Sequence, residues 1–208
     1  MKVETLGPLE IPKIGVGTWK IGGENTPRLA DVEKSLRALR SALDLGYTHF
    51  DTAEKYAAGH TEELLGQAVR EAGVPRERLL ITTKVWPNHL RYEDVLSSCA
   101  GSLRRLKMDY IDLYLVHWPN ELIPLSETFR ALNQLVREGR VRHVGVSNFG
   151  LRLLKQARRL CETPILTDQV PFNLHNRSYL KNGVLPYCQE NDILVTAYTD
   201  PSWTPLFV

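Results

Sequence analysis

Short β-branched runs alternate with longer amphipathic stretches along this chain, which is how repeated β/α units and a parallel sheet read in sequence. No other feature narrows the fold as much. Seven runs read as strands: Ile14 to Gly17, Thr48 to Asp51, Leu79 to Thr83, Ile111 to Val116, Val141 to Val146, Ile165 to Gln169 and Ile193 to Ala197. Between them helices are expected over Ala30 to Leu45, Thr61 to Ala72, Tyr92 to Leu106, Ser126 to Glu138, Leu151 to Cys161 and, with fainter periodicity, Tyr179 to Glu190. Gly46, Gly73 and Gly139 follow three of these stretches, as a left-handed helix cap prefers. In the first helix Val32, Leu36, Leu39 and Leu43 recur at the spacing of one buried face, while Lys34, Arg37 and Arg40 fall elsewhere. That helix packs one side on a sheet. Ahead of the first unit, Val3 to Leu6 and Leu9 to Pro12 flank a Gly-Pro turn, which predicts an N-terminal β-hairpin placed to plug the bottom of a barrel.

An open doubly wound sheet and a closed barrel share this alternation, and the strand ends separate them. Running each strand into its loop gives HFD at Asp51, ITTK at Lys84, LVH at His117, VSN at Asn148, TDQ at Gln169 and TAY at Tyr198. Any one of these, taken singly, is better explained by a polar residue meeting solvent. Six in succession fit a (β/α) barrel, whose strand ends converge on one mouth where active sites lie. An open dinucleotide-binding sheet needs a GxGxxG turn after its first strand; here Gly15-Val16-Gly17 runs on to Thr18, Trp19 and Lys20 without the third glycine.

Composition bounds what the site can serve. The 208 residues, 43% hydrophobic and 24% charged, suit one globular domain with a real core. Net charge is +2 with no clustered sign, which gives no support for a nucleic-acid or membrane-surface partner. The N-terminus lacks the apolar core of a signal peptide and no run approaches the roughly 20 apolar residues of a membrane span, so a cytoplasmic place is expected. Cys99, Cys161 and Cys188 are far apart and read as buried helical thiols. His49, His60, His89, His143 and His175 lack metal-ligand spacing and read as surface or structural, so no metal site is expected.

In order and spacing, GVGTW at 15–19, GYTHFDTAEKY at 46–56, TKVWP at 83–87, DLYLVHWP at 112–119, GVSNF at 145–149 and ENDILVTAY at 190–198 together resemble the aldo-keto reductase family. The resemblance implies an α/β fold of the (β/α)8 TIM-barrel type, with NAD(P)H lying extended across the mouth, and the reduction of aldehydes or ketones to alcohols. It implies a proton-handling group of Asp51, Tyr56, Lys84 and His117. It places Gly17, Thr18, Trp19, Asp51, Ser147, Asn148, Gln169 and Tyr198 against the cofactor. Of these, Ser147, Asn148 and Gln169 would hydrogen-bond the nicotinamide carboxamide, and Tyr198 would stack on the ring. Trp86 and His117 would meet the substrate. The implied cofactor is NADP(H) rather than NAD(H), the implied partner a small carbonyl compound, and the expected state a monomer.

The residue types suit that chemistry. Carbonyl reduction needs a hydride at carbon, a proton at oxygen, and stabilisation of the alkoxide charge between the two. A phenol, with an ordinary pKa of about 10, becomes a useful donor when an ammonium beside it favours its ionised form. Tyr56 beside Lys84 is such a pair. A lysine at the end of a buried strand is costly unless paired, and Asp51 ends the adjacent strand. His117, one strand further, is placed to donate to the substrate oxygen. The blander account of each stays open: an Asp51–Lys84 structural ion pair, a loop aromatic at Tyr56, a core histidine at His117, core packing at Tyr198. Trp19, Trp86 and Trp118 each follow a strand end and suit the wall of an apolar pocket, though tryptophan also fills barrel rims.

After Tyr198 the resemblance stops. TDPSWTPLFV carries two prolines and no helical period, so an eighth strand and its helix are not expected there. The expectation is an incomplete barrel of about seven strands over 1–198 with a divergent tail over 199–208, a C-terminally truncated form. In the family the missing part carries the cations that grip the adenosine phosphates. Seven strands leave two unpaired edges and an apolar interior, an aggregation liability. Two further readings accompany the reductase: a truncated product without activity, and a non-catalytic binding or regulatory subunit on the same fold.

Overall fold

The computed structural model describes residues 2–6 and 9–198. Strand β1 (Val3–Leu6) pairs antiparallel with β2 (Leu9–Pro12), Val3 opposite Pro12. This is the expected hairpin; its Gly7-Pro8 turn lies outside the described residues, as does the 199–208 tail. Seven more strands then form one parallel sheet in which each pairs with its neighbours in sequence. They are β3 (Val16–Gly17), β4 (His49–Asp51), β5 (Leu80–Val85), β6 (Ile111–Val116), β7 (Val141–Ser147), β8 (Ile165–Pro171) and β9 (Leu194–Tyr198). The connecting helices are α1 (Val32–Asp44), α2 (His60–Ala72), α3 (Tyr92–Leu106), α4 (Leu125–Arg137), α5 (Leu151–Leu160), α6 (Ser178–Lys181) and α7 (Val184–Glu190). Gln169 on β8 reaches Asp51 on β4 at 2.8 Å, so the sheet curls round on itself into an incomplete TIM barrel.

Period-two alternation along the strands sorts side chains between two cores. Leu36, Leu39 and Leu43 of α1 are buried with Phe50, Ile81, Tyr114, Val116 and Val144 of the strands, in one continuous layer between sheet and helices. Each fully buried aliphatic or aromatic side chain contributes about 1.5–3 kcal/mol. Inside the curl, Ile11 of the hairpin packs with Leu113, Leu115 and Leu166, and Leu6, Leu80 and Leu194 lie against them. The hairpin therefore closes the end of the curl opposite the site. Gly145 of β7 makes room for this interior: a Cβ there would come within 2.5 Å of Leu115 and 3.0 Å of the Thr167 carbonyl oxygen.

Three boundaries differ from expectation. The first barrel strand is only Val16–Gly17, because only these two residues find partners, in Phe50 and Asp51; Ile14 is left 59% exposed. The stretch Tyr179 to Glu190 is two short helices, broken where Gly183 takes a φ of +82°. Cys161 stands just past the end of α5 and is half-buried, while Cys99 and Cys188 are buried helical thiols. Among the described residues, the sheet ends at β3 on one side and β9 on the other. A cavity of about 710 Å³ lies along that seam, bordered by Glu4, Ile11, Gly15, Gly17, Leu194 and Ala197.

Candidate active site

Parallel pairing in register lifts the ends of successive strands to one level. Gly17 pairs with Asp51, Lys84 with Leu115, and Ser147 with Gln169. At that level opens a cavity of about 530 Å³. Of the residues singled out from sequence, all but Lys84 border it. Lys84 lies beneath the surface with no exposure, and its ammonium group donates to three acceptors. These are Asp51 Oδ1 at 2.5 Å, the Thr52 carbonyl at 2.8 Å and Tyr56 Oη at 3.4 Å. Burial alone would push the lysine pKa down, but the Asp51 carboxylate and the Tyr56 phenol oxygen outweigh it and raise it above the usual lysine value. The ammonium is held charged.

Since Tyr56 Oη accepts from Lys84, its own O–H is left to donate towards the cavity. His117 stands edge-on to Tyr56, ring centroids 5.7 Å apart, and edge-on to Trp86 at 5.4 Å. Burial, and then the Lys84 charge, bring its pKa down to about 3. The ring is neutral near pH 7. Its Nδ1 is buried with no hydrogen-bond partner, so a proton there would face no acceptor. The ring hydrogen therefore belongs on Nε2.

A second network frames the far wall. Ser147 Oγ donates to the Gln169 carbonyl at 2.8 Å, and Asn148 Nδ2 donates to the His117 carbonyl at 3.0 Å and to Ser147 Oγ at 2.9 Å. Tyr198 Oη donates to Asn148 Oδ1 at 2.8 Å. Asn148 holds a φ of +63°, a conformation that asparagine tolerates better than most residues. Across the mouth Thr18 donates through both its backbone N–H and its hydroxyl to the Asp51 carbonyl, each at 2.9 Å. Gly17 has no atom within 4 Å of the position a Cβ would take, so the cavity floor is open there. Amide groups on one wall, the Tyr198 ring beside them and an uncovered backbone at Gly17 fit a flat carboxamide-bearing heterocycle such as nicotinamide.

The cavity also takes Glu24, Asn25 and Lys55, which strand-end reasoning does not reach because they stand in loops away from the strand termini; Trp118 borders it with 44% exposure. The Thr52 carbonyl that receives Lys84 carries no residue-type signal at all. His49 is buried and meets Thr82 Oγ1 at 3.0 Å, and His60 meets Glu63 at 2.8 Å. Among the described residues, no group of three or more His, Cys, Asp or Glu side chains is placed to hold a metal ion, and no helix is long and apolar enough to cross a membrane.

The model of the aldo/keto reductase family matches residues 13–200. Aldo-keto reductase YhdN of Bacillus subtilis is 38% identical over 198 residues, covering 91% of this chain and 58% of that protein. Methylglyoxal reductase YeaE of Escherichia coli is 34% identical, with 95% of this chain and 66% of the relative covered. The chain thus spans roughly three-fifths of the length of these curated relatives. A crystal structure of a thermostable aldo-keto reductase in complex with the inhibitor epalrestat superposes with a TM-score of 0.95 at 47% identity, over 99% of this chain and 75% of the other. An aldo/keto reductase from Klebsiella pneumoniae in complex with NADP and acetate gives 0.79 at 39% identity, over 91% of this chain and 64% of the other.

Proposed function

This chain belongs to the aldo/keto reductase family, and from that premise we propose that it reduces aldehydes or ketones to alcohols, with NADPH as hydride source and Tyr56 as proton donor. The observation that carries the reading is the buried Lys84 ammonium, held by Asp51 at 2.5 Å and placed 3.4 Å from Tyr56 Oη. NADP and NADPH in complexes of related reductases support NADPH over NADH. Ser147, Asn148 and Gln169 would hold the nicotinamide amide, Tyr198 would lie against its ring, and Gly17, Thr18 and Trp19 would border it on the opposite wall. Bound there, the cofactor supplies hydride to the carbonyl carbon.

The chain's own groups deal with the oxygen. His117, neutral and protonated on Nε2, donates a hydrogen bond that orients the carbonyl and takes part of its growing charge without itself giving up a proton. Tyr56 O–H delivers the proton. The Lys84 ammonium, already against Oη, stabilises the oxyanion left there, and Asp51 keeps Lys84 charged and aimed. Trp86 and Trp118 give the substrate an apolar wall that displaces water. The same reading takes a small carbonyl compound as the partner, and a monomer in the cytoplasm as the setting.

NADPH oxidation with a simple aldehyde tests it, comparing wild type with Tyr56→Phe. Loss of the phenol proton is expected to lower kcat by about 10²–10⁴-fold with cofactor affinity little changed. Equal rates in the two proteins would remove Tyr56 as the donor.

A further inference from the structure

On the helix side of the sheet, a second set of contacts links the Tyr56 turn to the strand that carries Lys84. Directly after Tyr56, three consecutive residues hold positive φ: Ala57 at 47°, Ala58 at 54° and Gly59 at 90°. Two alanines in the left-handed region are unfavourable, and such a turn keeps its shape only where its surroundings over-determine it. Ala57 N–H donates to the Glu24 carbonyl at 2.9 Å. Gly59 leads into α2, and in the first turn of α2 sits Glu62, with no solvent exposure.

The Glu62 carboxylate accepts from Thr83 Oγ1 at 2.6 Å and from Arg105 Nε of α3 at 2.6 Å. Thr83 is the residue before Lys84 on β5, and strand alternation turns Thr83 to the helices and Lys84 to the mouth. Arg105 also packs under the turn: a Cβ at Gly59 would come within 2.6 Å of Arg105 Cδ and Nε. One carboxylate, three residues past the Tyr56 turn, therefore joins the helix that follows that turn, the strand that carries Lys84, and α3. A buried ion pair is a poor source of net stability, because desolvation offsets its attraction; its best-attested use is to fix register.

We propose that Glu62, Thr83 and Arg105 form a positioning clamp that sets Tyr56 Oη against Lys84 Nζ. The clamp touches neither substrate nor cofactor and acts through the Tyr56 turn. Its catalytic meaning rests on the reading of Tyr56 as proton donor.

Thr83→Val keeps the shape of the side chain and removes the hydroxyl; Thr83→Ser keeps the hydroxyl. In a crystal structure of T83V, Tyr56 Oη is expected to leave hydrogen-bond range of Lys84 Nζ, and kcat to fall about tenfold with little change in the KM for NADPH, since a small misplacement far from the chemistry costs rate rather than binding. T83S is expected to restore both. A folded T83V that keeps the separation found here overturns the proposal whatever its rate. So does an equal loss of turnover in T83V and T83S. If T83V does not fold, Arg105→Lys, which keeps a charge but loses the Nε–H donor, is read in the same way. Wild-type rates in Tyr56→Phe would sink the proton-donor reading alone, and the Tyr56–Lys84 separation in T83V would still decide the clamp.

Discussion

Asp168 lies on β8 beside Gln169 but belongs to the helix side, near Tyr179 of α6 and Cys188 of α7. Its Oδ1 accepts one long hydrogen bond, from the Phe149 N–H at 3.4 Å, and its Oδ2 is buried without a partner. Burial pushes its pKa from 3.8 up to about 8, against the weaker lowering by that N–H. The folded protein thus holds the proton more tightly than the unfolded chain, so the stability this group contributes is full below pH 3.8 and is lost as pH rises through about 8. Asp168→Asn carries no charge to bury and is expected to be more stable than wild type by roughly 2–4 kcal/mol at pH 9, the gap shrinking towards pH 5. Urea unfolding at the two pH values measures it; a gap of the same size at both would count against the burial account. Residue by residue, Asp51, Lys84, His117 and Gln169 were legible because each closes a β-branched run, where chemistry gathers in a barrel. Asp168 and Glu62 were not. A neighbour in sequence is sent to the opposite face, and nothing in the letters says that a carboxylate there will be walled off from water or given a threonine and an arginine.

At the scale of elements, β7 crosses the interior beside Leu115 of β6 and Thr167 of β8, and Gly145 is what lets the three strands approach. Gly145→Ala would drive a methyl group to within 2.5 Å of the Leu115 side chain and 3.0 Å of the Thr167 carbonyl. Leu115 can turn aside, while the carbonyl cannot. The expected cost is about 1–3 kcal/mol, read as a lower urea midpoint at an unchanged slope. An unaltered midpoint would mean that β7 has slack to yield. Strand and helix identities followed from their periods, and α1 buries the leucines its spacing selected. Boundaries followed less well, since they depend on partners. The run from Ile14 is cut to two residues by what β4 offers it, and the stretch after Tyr179 is divided by the backbone that Gly183 adopts.

For the whole molecule, the strand ends and the interrupted pattern after Tyr198 together made a seven-strand incomplete barrel legible, and the described residues hold seven parallel strands. The curl itself was not readable from local sequence, because closure depends on strand tilt and on contacts such as Gln169 to Asp51, 118 residues apart. In barrels of this kind the phosphate site uses loops after the last two strands. Among the described residues, β3 and β9 each pair on one side only. The strand order has another consequence. Because, among the described residues, every barrel strand pairs only with the strands before and after it, strand pairing itself requires no distant part of the polypeptide, although closing the curl does. Each β/α hairpin emerging from a ribosome finds its docking surface already present in the one made before it, so assembly can proceed in the direction of translation.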